Sequence, residues 1–128
     1  MGRPLRILQV EDSERDSALL LLYLKRGGFE TTLRRVDNEQ AMREQLRTGE
    51  WDVVVCDFNL PSFDAYRAIA AVKESKKAIP VIVLSGEISR EVIEGVTRAG
   101  ANEYLAKYEM RQIVPAIERL LGSGSKVS

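Results

Sequence analysis

The sequence predicts an α/β domain, a parallel sheet of five strands wound on both faces by five helices. Three observations point there. Short apolar runs rich in β-branched residues recur along the chain, as parallel strands buried on both faces require. Amphipathic stretches of roughly three turns lie between them, the ordinary length of a globular helix. Cap and turn residues separate the two kinds of segment in alternation, the pattern of βαβ units. Right-handed crossovers leave a doubly wound sheet as the simplest arrangement of such units.

The elements run in order. "LRILQV" at residues 5–10 reads as a buried strand. Ser13 with Asp16 resembles a capping pair, and the helix it opens is stopped by Gly27 and Gly28. "ETTLRRV" at 30–36 is a more polar strand, suited to a place nearer an edge. "NEQAMREQLRTG" is a helix capped by Asn38 and ended by Gly49. "VVVC" at 53–56 and "PVIVLS" at 80–85 are buried strands. "DAYRAIAAVKES" at 64–75 and "SREVIEGVTRAG" at 89–100 are helices, and "ANEYLAK" at 101–107 is the fifth strand. Met110, Ile113, Val114, Ile117 and Leu121 share one face of a last helix. Pro115 fits only near the start of that helix. No internal repeat is present. "GSGSKVS" has the composition of a flexible tail or linker remnant. The expected domain is therefore residues 1–122, with a tail at 123–128.

Composition excludes several functions. The 128 residues suit one domain. The chain is 45% hydrophobic and 30% charged, which supports a core and a solvated surface. Lys+Arg and Asp+Glu are both 19, so no net charge draws it to nucleic acid or membrane. The single cysteine excludes an intrachain disulfide and fits a reducing cytoplasm. The longest apolar run, "ALLLLYL" at 18–24, is far short of the ~20 residues that span a bilayer. It comes after the charged "EDSERD", so no signal peptide or membrane insertion is expected. There is no histidine. That removes His-based metal sites, His-containing triads and any phosphohistidine role in this chain.

In doubly wound sheets the functional groups sit at the carboxyl ends of the strands. The stretch "VVVCDFNLPS" carries Asp57 out of an apolar run at the end of the third strand. Glu11 and Asp12 end the first strand, Ser85 the fourth and Lys107 the fifth. Carboxylates brought together repel one another and raise their own pKa values. A hard divalent cation with oxygen ligands relieves that, and Mg²⁺ suits a site with few protein ligands and several waters. Lys107 and Ser85 are then left to hold an anion, for which a phosphoryl group is the obvious candidate. Singly, each residue has a plainer explanation. The acidic pair could cap a helix, Asp57 could turn the chain, Ser85 before Gly86 could be turn chemistry, and Lys107 could be a solvated lysine. Four separate strand ends carrying the right group is a far more specific signal.

That combination resembles the receiver domain of two-component response regulators over about residues 5–121. The matching motifs are "VED", "CDFNLPSFD", "VLSGE" and "EYLAK". The resemblance implies a flavodoxin-like sheet of order 2-1-3-4-5. It implies that Asp57 accepts a phosphoryl group from a histidine kinase or phosphotransfer protein. Glu11, Asp12 and Asp57 would hold Mg²⁺ (or Mn²⁺) together with the main-chain carbonyl of Asn59. Ser85 would bind a phosphoryl oxygen, Lys107 would pair with the phosphoryl charge, and Tyr104 holds the place of the aromatic switch residue. By the same match, Asn59 and Glu87 flank the water route to the acyl phosphate and tune its hydrolysis. Such a domain catalyses only its own phosphorylation and dephosphorylation. It is not otherwise an enzyme. Its output is a changed contact with an unknown downstream protein or parent-chain domain, without direct contact to nucleic acid. The run "YLAKYEMRQIVPAIERLL" is similar to receivers attached to, or working with, sensor kinases.

The chain departs from the family at three places. Tyr108 stands where the family carries Pro after a cis peptide; a cis bond before a non-proline residue costs about 2.5–4 kcal/mol more than trans. Ala65 stands where Gly is usual, which disfavours a left-handed conformation there. Ser85 replaces Thr and keeps the hydroxyl. Other conspicuous residues read as structural. Cys56 should face away from Asp57 into the core, and Trp51 should pack a loop. Residues 19–22 are leucines on every side of the first helix, more than one core face needs, and the surplus offers a partner or dimer surface.

Three functions fit these residues: a phosphoacceptor, a pseudo-receiver that only binds, and a Mg²⁺-dependent phosphatase with an aspartate nucleophile. The phosphatase class wants a second Asp as general acid two residues beyond the nucleophile, where this chain has Asn59. The complete acidic pair with Asp57 and Lys107 argues against the pseudo-receiver.

Overall fold

Four of the helices begin where a short polar side chain accepts from a backbone N–H that the helix leaves without a partner. A computed structural model describes residues 2–61, 63–87 and 89–125. In it Ser13, Asn38, Asp64 and Ser89 each accept a hydrogen bond from the backbone N–H three residues on. These caps open α1 (Glu14–Arg26), α2 (Glu39–Thr48), α3 (Ala65–Glu74) and α4 (Arg90–Ala99). Such a cap is worth ~1 kcal/mol. Ala65 enters α3 directly, with no left-handed residue before it. Two glycines close helices with positive φ, Gly28 at 90° after α1 and Gly100 at 128° after α4. A side chain is disfavoured at both.

The strands are β1 (Arg3–Val10), β2 (Phe29–Val36), β3 (Val53–Asp57), β4 (Val81–Ser85) and β5 (Glu103–Ala106). They form one sheet of order β2-β1-β3-β4-β5, and all four pairings are parallel. The polar β2 lies at an edge, as its composition predicts. Side chains alternate across β3. Val54 and Cys56 join the core under α2, α3 and α4 with Leu8, Met42, Ile69 and Val96. Val53 and Val55 join the core under α1 and α5 with Leu5, Leu20, Leu24 and Ile117. With both faces covered, all five residues of β3 are buried. The sequence pattern predicts this architecture, and the receiver-domain resemblance implies this strand order.

The end of the chain differs in detail. β5 stops at Ala106, paired with the last residue of β4, so the ladder offers Lys107 no partner. Lys107 therefore lies one residue past the strand and opens a 3-10 turn, Lys107–Gln112, broken at Glu109. Met110 is buried from this turn and not from the last helix. No cis peptide bond occurs among the described residues. The last helix, α5 (Ile113–Ser125), carries Pro115 as its third residue, where a missing N–H costs little. It runs into the stretch read as a tail; residues 126–128 lie outside the described residues. Among the described residues no helix is long and apolar enough to cross a membrane.

Candidate functional site

The parallel register brings the strand ends to one edge. Asp57 pairs with Leu84, one residue before Ser85, and Ser85 pairs with Ala106, one residue before Lys107. β1 continues into Glu11, whose N–H donates to the carbonyl of Val36 at 2.9 Å and whose carbonyl accepts from Arg35 at 3.2 Å. Asp57 is 5% exposed and Glu11 1%, while Asp12 is open to solvent. Each of these three carboxylates offers an oxygen within 4.8 Å of the others.

Lys107 counters this charge. Its Nζ donates to Asp57 Oδ2 at 2.9 Å and to Asp16 Oδ2 at 2.8 Å, and lies 3.4 Å from Glu11 Oε1. Burial pulls the ammonium pKa down, but the bonds to Asp16 and Asp57 outweigh it and hold Lys107 firmly protonated. One lysine does not neutralise the cluster. Burial first, and the Asp57 charge second, push Glu11 up to about 7 from the ordinary 4.5, against the opposing pull of Lys107. Asp57 Oδ1 accepts from the backbone N–H of Asn59 at 3.1 Å, and Glu11 Oε2 from that of Ser13 at 3.2 Å. The donor set fits a hard divalent cation: three carboxylates, no sulfur or nitrogen ligand, and an uncompensated repulsion.

The hydrogen bonds on the other flank are between neutral groups. Ser85 Oγ donates to the carbonyl of Glu87 at 2.9 Å and faces the Glu87 N–H at 3.2 Å. Tyr104 is half-buried against the core under α3 and α4, and its hydroxyl donates to the same Glu87 carbonyl at 2.6 Å. One carbonyl thus receives both hydroxyls. The side chains of Asn59 and Glu87 are exposed beside the site.

Asp16 is the site residue that sequence reasoning missed. Its backbone N–H serves the Ser13 cap at 3.2 Å, which accounts for its place in the sequence and hides its side chain's role. An acid in the first turn of the helix after "VED" lies at the same sheet end as Lys107, and that was the available signal. The structural residues behave as expected. Cys56 is buried in the core, where burial raises its thiol pKa and removes the thiolate that redox chemistry needs. Trp51 donates its indole N–H to the Gln45 carbonyl at 2.8 Å and packs on the core. On α1, Leu20 and Leu24 are core, while Leu19, Leu21 and Leu22 keep 37–42% of their surface exposed.

Comparison with known proteins agrees with this geometry. The model of the response regulator receiver domain matches residues 7–118. The chain is 31% identical over 117 residues to the transcriptional regulatory protein PrrA of Mycobacterium leprae, covering 91% of this chain and 49% of that one. It therefore spans about half the length of that relative. It is 28% identical over 109 residues to the chemotaxis protein CheY-3 of Vibrio cholerae, covering 84% of this chain and 83% of that one. A CheY-like receiver domain protein from Methanospirillum hungatei shares the fold, with a TM-score of 0.80 at 19% identity over 100% of both chains. A family match that begins within β1 and ends within α5 takes in every strand end of the site, and the chain belongs to the response regulator receiver domains of two-component systems.

Proposed function

We propose that Asp57 is a phosphoacceptor, charged from the phosphohistidine of a histidine kinase or phosphotransfer protein in the cytoplasm. One observation carries this most. A nearly buried carboxylate is held by a lysine at 2.9 Å and crowded by two more carboxylates within 4.8 Å. A nucleophile in that setting needs positive charge brought in, and a divalent cation would supply it.

In the transfer, an Asp57 carboxylate oxygen forms a bond to phosphorus as the P–N bond breaks. The donor imidazole leaves with the electron pair of that bond and takes up a proton. Phosphoryl transfer asks mainly for positioning and charge stabilisation. Mg²⁺, held by Glu11, Asp12, Asp57 and the Asn59 carbonyl, would supply neutralising charge for the phosphoryl oxygens; Mn²⁺ has similar oxygen preferences. Lys107 neutralises the group from the other side, and Ser85 can exchange its bond to Glu87 for one to a phosphoryl oxygen. Losing the Ser85 partner alters the Glu87 carbonyl that Tyr104 also uses. A local charge event is thereby passed to the surface around α4 and β5. In hydrolysis, water passing Asn59 and Glu87 attacks phosphorus, the P–O bond to Asp57 breaks, and inorganic phosphate leaves with the Asp57 carboxylate restored. Self-phosphorylation and self-dephosphorylation are the only catalysis proposed. The output is contact with a downstream protein or parent-chain domain, and the partly exposed leucines of α1 supply apolar surface for a partner or second copy.

The test is incubation with acetyl phosphate and Mg²⁺, followed by intact mass. A single phosphoryl adduct that maps to Asp57 is expected. Sustained turnover of phosphate monoesters would favour a phosphatase, and no adduct would favour a pure binding module.

A further inference from the structure

We infer that Asp16 is a positioning residue for Lys107, and that it competes with the phosphoryl group for the ammonium; this rests on the phosphoacceptor role of Asp57. Lys107 Nζ is shared almost equally, 2.8 Å to Asp16 and 2.9 Å to Asp57. The two carboxylates belong to different elements, α1 and β3, and Lys107 comes from a third, the turn after β5. The ammonium therefore ties the start of α1 to the end of the sheet in the resting protein.

The start of α1 is a fixed platform for that tie. Ser13 Oγ accepts from the Asp16 N–H, and Ser17 Oγ donates to the buried Gln9 side chain on β1. Asp16 cannot readily follow Lys107 if the ammonium moves. Lys107 itself is three-quarters buried and opens the short 3-10 segment Lys107–Gln112. Its ammonium donates to Asp57 and Asp16 and pairs with Glu11 at 3.4 Å, so three carboxylates share it.

Phosphorylation changes the terms of this division. The Asp57 carboxylate carries one negative charge, and the phosphoryl group that replaces it carries about two. The new oxygens draw the ammonium toward themselves and away from Asp16. Asp16 resists, because losing Lys107 leaves it beside Glu11 and the phosphoryl group without a cation. Its charge therefore weakens the hold of Lys107 on the phosphoryl group and shortens the life of the acyl phosphate. The released Asp16 also carries the signal to α1, on the opposite side of the sheet from Tyr104.

Asp16→Asn tests this with little structural cost, since the side chain is isosteric and the N–H on Ser13 remains. Loss of the phosphoryl label after removal of donor should slow about threefold, the effect of removing one partly exposed like charge. Asp16→Glu should keep the wild-type lifetime, which a purely steric role would not predict. A second measurement needs no variant of the acceptor chemistry. In wild-type protein carrying ¹³C in its aspartate carboxyls, the Asp16 signal, assigned by its absence from Asp16→Asn, should shift on phosphorylation. An adduct on Asp57 with an unmoved Asp16 signal, or an Asp16→Asn lifetime equal to or shorter than wild type, would overturn the inference. Failure to form any adduct would instead overturn the phosphoacceptor role on which it rests.

Discussion

Asp57 lies between two flanks that are built differently. Toward β1 and α1 charge dominates: Glu11, Asp12 and Asp16, with Lys107 bonded to Asp57. Toward β4 and β5 the contacts are neutral, two hydroxyls meeting at the carbonyl of Glu87. Charge acts over several ångströms and suits metal capture and phosphoryl stabilisation. Neutral hydrogen bonds are short-ranged and exchange at small net cost. They suit the reading of an event on Asp57. On the proposed function, most of the chemistry falls to the charged flank and the response around α4 to the neutral one.

The strongest way to break this division is to remove its shared centre. Asp57→Asn should abolish phosphoryl uptake by intact mass. The fold should persist, because β3 is held by Val53, Val54, Val55 and Cys56, all fully buried. The metal-free variant should melt at or above the wild-type temperature, since one member of a repelling cluster is gone. Uptake by the variant, or its failure to fold, would contradict the assignment.

Acid–base behaviour probes the charged flank alone. Glu11 binds its proton more tightly in the folded protein, at about 7 against the ordinary 4.5. A raised folded pKa contributes stability that is complete below about pH 4.5 and is lost as pH rises through about 7. In chelator, the unfolding free energy should therefore fall across this window, by about 3 kcal/mol at most. Glu11→Gln should flatten the curve. Equal slopes for variant and wild type would show that Glu11 is not the strained group.

Metal should relieve the same strain. A cation that binds only the native state raises the melting temperature with its concentration, by ~2.7 kcal/mol at one hundred times its dissociation constant. Millimolar Mg²⁺ should stabilise the wild type, more at pH 8 than at pH 6, because Glu11 must lose its proton to bind. Asp12→Ala should remove most of this gain. A wild-type melting temperature indifferent to Mg²⁺ would deny the cluster its role. A smaller effect belongs to Asn59 and Glu87. Replacing both with Leu should slow loss of the phosphoryl label several-fold, without changing its yield at saturating donor. A faster loss would refute their part in water access.

Much of this could be read from sequence, for physical reasons. Strands buried on both faces must be apolar and helix starts must be capped, so "VVVC", "PVIVLS" and the caps at Ser13 and Asn38 declare the fold. Groups at the ends of parallel strands share one edge whatever the intervening chain, so Glu11, Asp12, Asp57, Ser85 and Lys107 could be brought together without coordinates. What escaped depends on side-chain direction. Asp16 has a sufficient local role at the N-terminus of α1, and only the fold shows its carboxylate on a lysine 91 residues away. The meeting of Ser85 and Tyr104 at Glu87 was hidden likewise, because a main-chain carbonyl leaves no mark in a residue's identity. The turn after β5 departs from the expected strand end because the register of β4 runs out at Ala106.

The division between the two flanks is tested most directly by amide NMR on one sample taken through three states: metal-free, with Mg²⁺, and with Mg²⁺ and acetyl phosphate. Mg²⁺ alone should shift the amides of residues 11–13 and 57–59 and leave those of Ser85, Glu87 and Tyr104 nearly in place. Phosphorylation should then shift Ser85, Glu87, Tyr104 and the α4 amides, and Tyr104→Phe should blunt the α4 shift without lowering the phosphoryl yield. Movement of both flanks with Mg²⁺ alone, or phosphorylation that leaves Ser85, Glu87 and Tyr104 unmoved, would contradict the account.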